Sequence, residues 1–269
     1  MGDSSQTASQ ELLRCDSLRR SFGAVKAVDD ISFSLNAGGI LGIGGPNGAG
    51  KTTLFDVISG LTAADSGHIV FDGHEVTKAP PHKRCHSGLS RTFQLNAAFE
   101  SLTVRENTLI GSYFGYTNRI FPGPVFSKES IDRAEWALEL VGLIDESNES
   151  VDTLPVYKRK LLMMAGALAG KPSILMMDEP VGGLNAQEID DIMLIVRKVN
   201  EAGVTILLIE HVMRFLVALS DTVIIMHRGQ NIYEGPPSEL ASDKVVVDVY
   251  LGEGASELIS DALERTDHD

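Results

Sequence analysis

Between the apolar run Ile40-Leu41-Gly42-Ile43 and a second one, Leu54-Phe55-Asp56-Val57-Ile58, the chain carries GPNGAGKTT at residues 45–53. Strand, glycine loop and helix in that order leave little choice of fold, because a phosphate cradle requires that order. Gly45, Gly48 and Gly50 can take backbone conformations closed to other residues, so successive N–H groups turn inward toward an anion. The following helix adds its positive dipole end at the same point. Lys51 supplies a mobile cation and Thr52 a hydroxyl suited to Mg²⁺, with Asn47 and Thr53 as further ligand-facing members of the motif. A glycine-rich turn matching by accident would not have the strand and helix periods correct on both sides. The pattern implies a chain that binds a nucleoside triphosphate.

With 269 residues the chain can bury a large core, as one large domain or as a core with an inserted lobe. A formal net charge of −14 and a pI near 4.9 argue against a sequence-independent nucleic-acid binder, which needs Lys and Arg to release counterions. Contact with an anionic lipid surface is disfavoured for the same reason. Cys15 and Cys85 are too few and too far apart for a metal cluster or a disulfide framework and read as reduced thiols of a cytosolic protein. The start, MGDSSQTASQ, lacks the basic opening and apolar centre of a signal peptide, and no segment reaches about 18 uninterrupted apolar residues. Any membrane role is therefore expected to come through a partner. The acidic ending SELISDALERTDHD is expected to fray.

Along the chain, residues 11–76 are strand-rich, with ISFSL alternating and HIVFDGHEV turning at Asp72-Gly73. Residues 100–169 change to helical spacing in VRENTLIGSYF and ESIDRAEWALELVGL, split by the Pro/Gly-broken GYTNRIFPGPVF. SILMMDEP and VTILLIE then return as short apolar strands suited to the buried centre of a parallel sheet, around the helix AQEIDDIMLIVRKVNEAG that stops at Gly203. TVIIMHRGQNIYEG predicts a hairpin turning at Arg228-Gly229, and SDKVVVDVYLG a short helix.

The strand Ile174-Leu175-Met176-Met177 delivers Asp178 and Glu179 at its carboxyl end, where ligands of open α/β sheets bind. Asp178 is placed to hold Mg²⁺ through its water shell and Glu179 to polarise the water that attacks the γ-phosphate. A solvated acidic pair ending a strand would be the reading without the glycine loop. VTILLIEH sends another strand to the same edge, so His211 reads as a γ-phosphate contact rather than a structural histidine. Gln94, after Ser90-Arg91-Thr92-Phe93, lies where the core gives way to the helical segment. Its amide can touch Mg²⁺ or the attacking water; the alternative is an ordinary loop amide.

Taken together, GPNGAGKTT, RTFQ, ILMMDEP, GGLNAQE and LLIEH follow one another as in the nucleotide-binding subunits of ABC transporters, which the chain resembles over residues 12–252. Within that superfamily, SFGAVKAVDDISF, the RTFQ form, the insertion at residues 116–126, GLN after DEP and the ending VYLGE resemble the ATPases of branched-chain or hydrophobic amino acid uptake systems. Urea and lipopolysaccharide-export ATPases share several of these features. The resemblance implies an α/β fold, a P-loop core with an antiparallel β region and an inserted α-helical subdomain, and ATP with Mg²⁺ as cofactors. It implies that Phe22 stacks on adenine, that Lys51 and Thr52 hold phosphates and Mg²⁺, and that Gln94 is the coupling glutamine. Asp178 and Glu179 become the Walker B aspartate and catalytic glutamate, His211 the switch histidine, and Leu184-Asn185 part of a loop crossing a dimer interface. Asn185 stands where the superfamily often has Asp.

The expected organisation is a tail (1–10), a first core part with Walker A and Gln94 (11–95), a helical subdomain (96–169), a second core part (170–252) and an acidic tail (253–269). The expected partners are membrane permease subunits, a second ATPase subunit and, indirectly, an external solute-binding protein, with the chain held at the cytoplasmic face of the membrane. A soluble regulator that uses ATP as a switch is the rival from another class. The superfamily's LSGGQ signature is replaced by Leu154-Pro155-Val156-Tyr157-Lys158, in which Pro155 has neither hydroxyl nor N–H and Tyr157 brings a ring to the close-approach position. Loss of one preorganised donor costs about 3–4 kcal/mol in such sites, which favours a weakened half-site and hence a heterodimer. The alternative is a tolerated variant in which the helix dipole and Lys158, Arg159 and Lys160 still attract the phosphate.

Overall fold

The computed structural model describes residues 10–92, 98–116 and 126–248. Gln94, most of the insertion at 116–126, the ending VYLGE and the acidic tail lie outside the described residues. Two long strands, β1 (Glu11–Phe22) and β2 (Val25–Asn36), form an antiparallel hairpin, extended by β4 (Ser66–Phe71) and β5 (His74–Glu75) into a sheet of order β2-β1-β4-β5. The second sheet has order β10-β9-β3-β8-β7-β6, built from β3 (Ile40–Gly44), β6 (Leu89–Arg91), β7 (Ile174–Asp178), β8 (Thr205–Ile209), β9 (Thr222–His227) and β10 (Gln230–Gly235). Its strands run parallel except β10, which closes one edge antiparallel to β9.

Strands β3, β7 and β8 are buried at every position, which is why they read as unbroken apolar runs rather than alternating ones. Their side chains divide by parity. Ile174, Met176, Leu207 and Ile209 join the core shared with the antiparallel sheet and with α1 (Lys51–Ser59), whose Leu54, Phe55 and Ile58 fill the space between the sheets. Leu175, Met177, Ile206 and Leu208 face the opposite core, packed by α6 (Ala186–Glu201) and α7 (Met213–Leu219). Gly42 in β3 admits α7 closely: a Cβ there would lie 2.3 Å from Ser220 Oγ and 2.7 Å from Leu216 Cδ1.

Both sequence-predicted hairpins form with the left-handed residue pairs that two-residue turns require, Asp72-Gly73 (φ 48° and 73°) and Arg228-Gly229 (φ 49° and 82°). The helical segment contains α3 (Val104–Tyr116), α4 (Lys128–Val141) and α5 (Val156–Ala169). Ser127 caps α4 by accepting from the Ser130 N–H. Helices α3 and α5 touch through glycines, since a Cβ on Gly111 would lie 2.0 Å from Gly166 O. Helix α6 opens with a capping box in which Asn185 Oδ1 accepts the Glu188 N–H at 3.0 Å and Glu188 Oε2 accepts the Asn185 N–H at 2.9 Å. Asn185 thus serves as a neutral cap, which needs an acceptor oxygen and no charge.

The expected ending helix is α8 (Lys244–Val246), whose Val245 and Val246 N–H groups are both accepted by Asp243 Oδ1. Helix α2 (Pro81–His86) and the edge strand β6 were not singled out by the sequence. Both are too short to show a period.

Candidate functional site

The glycine loop connects β3 to α1 at the carboxyl edge of the parallel sheet and is flattened between two neighbouring backbones. A Cβ at Gly45 (φ 141°) would lie 2.2 Å from Met226 O, and one at Gly50 (φ 103°) 1.9 Å from Ala27 O. Glycine is therefore demanded twice, by dihedral angle and by space. Lys51 is buried, and its Nζ donates to Gly45 O at 2.7 Å and to Pro46 O at 3.1 Å. Burial lowers the pKa of this ammonium, while Glu179, Asp178 and Glu210 act in the opposite direction. An open depression of about 580 Å³ lies over the loop, bounded by Ala24 to Ala27, by 47–53, by Glu179 and by Arg228. Asn47, Gly48 and Thr52 are exposed along it and Thr53 is half-buried. Phe22, 51% exposed, ends β1 just before this rim, with the Arg20 guanidinium 4.7 Å from its ring centroid.

Asp178 and Glu179 leave β7 in different environments. Asp178 is buried, and its Oδ2 accepts from Arg91 Nη2 at 2.8 Å. Burial raises its carboxyl pKa and the Arg91 charge and hydrogen bond pull it back down. Arg91 Nη1 also reaches Asp56 Oδ1 at 2.6 Å, so one guanidinium joins α1, β6 and β7. Glu179 adopts φ 49°, a left-handed conformation uncommon for a residue with a side chain. It is held there by its N–H to Ile209 O at 3.0 Å and by its carbonyl, which accepts from Lys160 Nζ at 3.1 Å.

From the end of β8, His211 brings Nδ1 to 3.6 Å from Glu179 Oε1 and 3.6 Å from Glu210 Oε2. Glu210 has no exposed surface. Its carboxylate accepts the N–H groups of Val181 (3.1 Å), His211 (2.9 Å) and Val212 (3.1 Å), fastening the turn after Glu179 to the turn carrying His211. The structure thus gathers Lys51, Asp178, Glu179 and His211 at one sheet edge, with Thr52 on the adjoining rim. Arg91, Glu210 and Lys160 were missed as members of the site. Their signal lay in position alone: Arg91 closes the strand beside Asp178, and Glu210 adjoins His211.

The residues fit a nucleotide with a divalent cation. The loop N–H groups and Lys51 suit phosphates, while the Thr52 hydroxyl and the Asp178 carboxylate supply hard oxygen donors of the kind Mg²⁺ takes.

The stretch Leu154-Pro155-Val156-Tyr157-Lys158, expected to stand in place of the signature, opens α5 with Pro155 at the N-cap and no side-chain cap. Two expectations change here. The Tyr157 ring does not stand at the open end but is half-buried against the core beneath α5, where burial raises its phenol pKa; Val156, 46% exposed, faces outward instead. The three following cations are also engaged within their own chain. Lys158 pairs with Glu146, Arg159 donates to Leu154 O at 2.9 Å and Asp152 O at 3.0 Å, and Lys160 donates to Glu179 O. Arg159 also pairs with Glu100 at 3.1 Å, so two of the three cations face carboxylates, while Lys160 keeps its charge beside the helix dipole.

Residues 28–182 match the family model described as "ABC transporter". The chain is 33% identical over 253 residues to the high-affinity branched-chain amino acid transport ATP-binding protein BraF of Pseudomonas aeruginosa, covering 91% of this chain and 99% of that protein. It is 34% identical to the corresponding protein LivG of Salmonella typhimurium, with the same coverage. A solved ADP conformation of an ATP-binding cassette of an ABC transporter superposes with a TM-score of 0.82 at 33% identity, covering 91% of this chain and all of that one. With family-wide similarity along nearly its whole length, and a glycine loop and acid pair meeting at one sheet edge, this chain belongs to the ATP-binding subunits of the ABC transporter family.

Proposed function

We propose that this chain hydrolyses MgATP to energise uptake of branched-chain or other hydrophobic amino acids through separate membrane permease subunits. The observation that carries the proposal is the meeting of Lys51, Asp178, Glu179 and His211 at one sheet edge, in a chain most of whose length matches branched-chain amino acid transport ATP-binding proteins.

In this reading the loop N–H groups and Lys51 hold the phosphates, with Gly45, Asn47, Gly48, Gly50 and Thr53 shaping the cradle, and Phe22 meets the adenine. Thr52, Asp178 and Gln94 would hold Mg²⁺, which would supply charge neutralisation for the transferring phosphoryl group. Glu179 accepts hydrogen from the attacking water and orients it. His211, held beside Glu179 by the buried Glu210 anchor, donates to the γ-phosphate and keeps Glu179 in line. Residues 11–95 and 170–252 then form the ATPase core and 96–169 the subdomain that meets the permease, which holds the chain at the cytoplasmic face of the membrane. The groove suited to that contact is an apolar depression of about 470 Å³ between β6 and the helices, lined by Leu61, Leu89, Phe99, Ile110, Phe114 and Met163. With Pro155 and Val156 at the start of α5, the second cassette is a different ATPase with an intact signature, and an external binding protein delivers the solute.

The test is Glu179→Gln in a transporter reconstituted with permease and partner cassette. ATP binding is retained while hydrolysis at this chain's own site falls by about 10²–10⁴-fold, the range of a lost general base. Wild-type turnover at that site, resolved from the partner's, would remove Glu179 from the mechanism.

A further inference from the structure

Three cationic residues border the depression over the glycine loop: Lys51, Lys26 and Arg228. Two are already engaged. Lys51 is folded onto the carbonyls of Gly45 and Pro46, and Lys26 Nζ lies 3.1 Å from Asp29 Oδ2. Arg228 is exposed and has no side-chain hydrogen bond or ion pair among the described residues. Its backbone, in contrast, is tightly fixed. Arg228 takes φ 49° and Gly229 φ 82° in the β9–β10 turn; the Gly229 N–H donates to Ala49 O at 2.9 Å, and Gly229 O accepts from the Asp29 N–H at 2.7 Å. A Cβ at Gly229 would lie 2.5 Å from Lys26 O, so the turn is wedged between β2 and the glycine loop. An uncommitted guanidinium is therefore anchored one residue from a direct backbone bond to the loop that cradles phosphate.

We infer that Arg228 is a nucleotide-contacting residue that engages the polyphosphate from the Ala49–Gly50 side of the cradle. The inference rests on the nucleotide reading of the site given above. Phosphates nearest the loop are common to ATP and ADP, so Arg228 strengthens both alike. A guanidinium facing a polyphosphate through solvent at about 6 Å adds several-fold to affinity, and salt screens it because the group is exposed.

The experiment measures ATP and ADP affinity by titration calorimetry at low and high salt for the full chain and for Arg228→Asn, Arg228→Lys and Lys51→Ala. Asn tolerates the left-handed conformation, and Asn-Gly is a favoured pair for this turn, so Arg228→Asn removes the charge and keeps the hairpin. Arg228→Asn is expected to weaken both nucleotides about three- to tenfold at low salt, with the difference shrinking at high salt, and Arg228→Lys to recover most of the loss. If Arg228→Asn binds both nucleotides within twofold of wild type while Lys51→Ala binds poorly, the Arg228 inference is overturned and the nucleotide reading stands. Weakening of ATP alone also overturns it, since the contact would then lie at the γ-phosphate. If neither Arg228→Asn nor Lys51→Ala alters affinity, the nucleotide reading falls with it.

Discussion

Arg91 and Asp178 form a buried ion pair, Nη2 to Oδ2 at 2.8 Å, and the same guanidinium reaches Asp56 at 2.6 Å, so that one side chain keeps two carboxylates from facing each other uncompensated. Side-chain exposures of 7% and 6% for Arg91 and Asp178 leave little water to take over if either is removed. Arg91→Leu should lower stability by about 3–5 kcal/mol, the cost of leaving a buried charge unpaired. Adding Asp178→Asn should restore part of it, because the amide needs no counter-charge. Urea denaturation of the nucleotide-free chain measures both, and a loss below about 1 kcal/mol for Arg91→Leu would show that the pair does not bear on folding.

The contact between α3 and α5 depends on Gly111. A methyl group there would sit 2.0 Å from the Gly166 carbonyl, a backbone atom with no rotamer to yield. Gly111→Ala should separate the helices and cost about 1–3 kcal/mol despite alanine's better helix propensity, whereas Gly166→Ala, whose added carbon meets nothing within 4 Å, should be neutral or mildly stabilising. Thermal melts of the two variants should shift in opposite directions or by clearly unequal amounts. Equal shifts would mean the helices separate freely.

Lys51 yields a pH dependence of known sign. Burial lowers its pKa from the ordinary value of 10.5, so the folded chain holds this proton less tightly than the unfolded chain does. Its charge therefore opposes folding at neutral pH, and that penalty fades as pH rises through the folded value toward the unfolded one. Nucleotide binding needs the charge, so ATP affinity should decline with rising pH before 10.5 is reached, accompanied by proton uptake on binding. Lys51→Arg, weaker throughout, should show no such decline because its guanidinium stays charged. A wild-type profile flat up to 10.5 would contradict the assignment.

Burial of the Tyr157 ring moves the predicted defect of the signature to Pro155 and Val156, the residues at the open start of α5. Pro155→Ser with Val156→Gly should restore a hydroxyl and a close-approach position. The purified chain, expected to be nearly inactive alone, should then gain concentration-dependent ATPase activity, by about 10²-fold if one donor is recovered. Tyr157→Gly alone should open a void and lower stability without that gain. Robust activity of the unmodified chain alone, rising with its concentration, would show these positions to be harmless.

The cradle and the sheet edge were legible in the amino-acid order. Glycine dihedral demand, the apolar runs around residues 40–44, 174–178 and 205–209, and the two-residue turns at Asp72-Gly73 and Arg228-Gly229 are local properties, and each formed where its pattern placed it. Gln94, legible in sequence, lies outside the described residues. What the charged groups meet follows from packing between distant segments. Arg91 stands 87 positions from Asp178 and 35 from Asp56, Lys160 is drawn to the Glu179 carbonyl, and Glu210 clasps the backbone at Val181. The sequence also put the Tyr157 ring at the close-approach position and, in the alternative reading, Lys158 to Lys160 within reach of phosphate, because side-chain direction at a helix start depends on the surface beneath it. A chain pattern encodes periodicity and backbone tolerance over a few residues, whereas the partner of a charge is chosen by which strands the parallel sheet sets side by side.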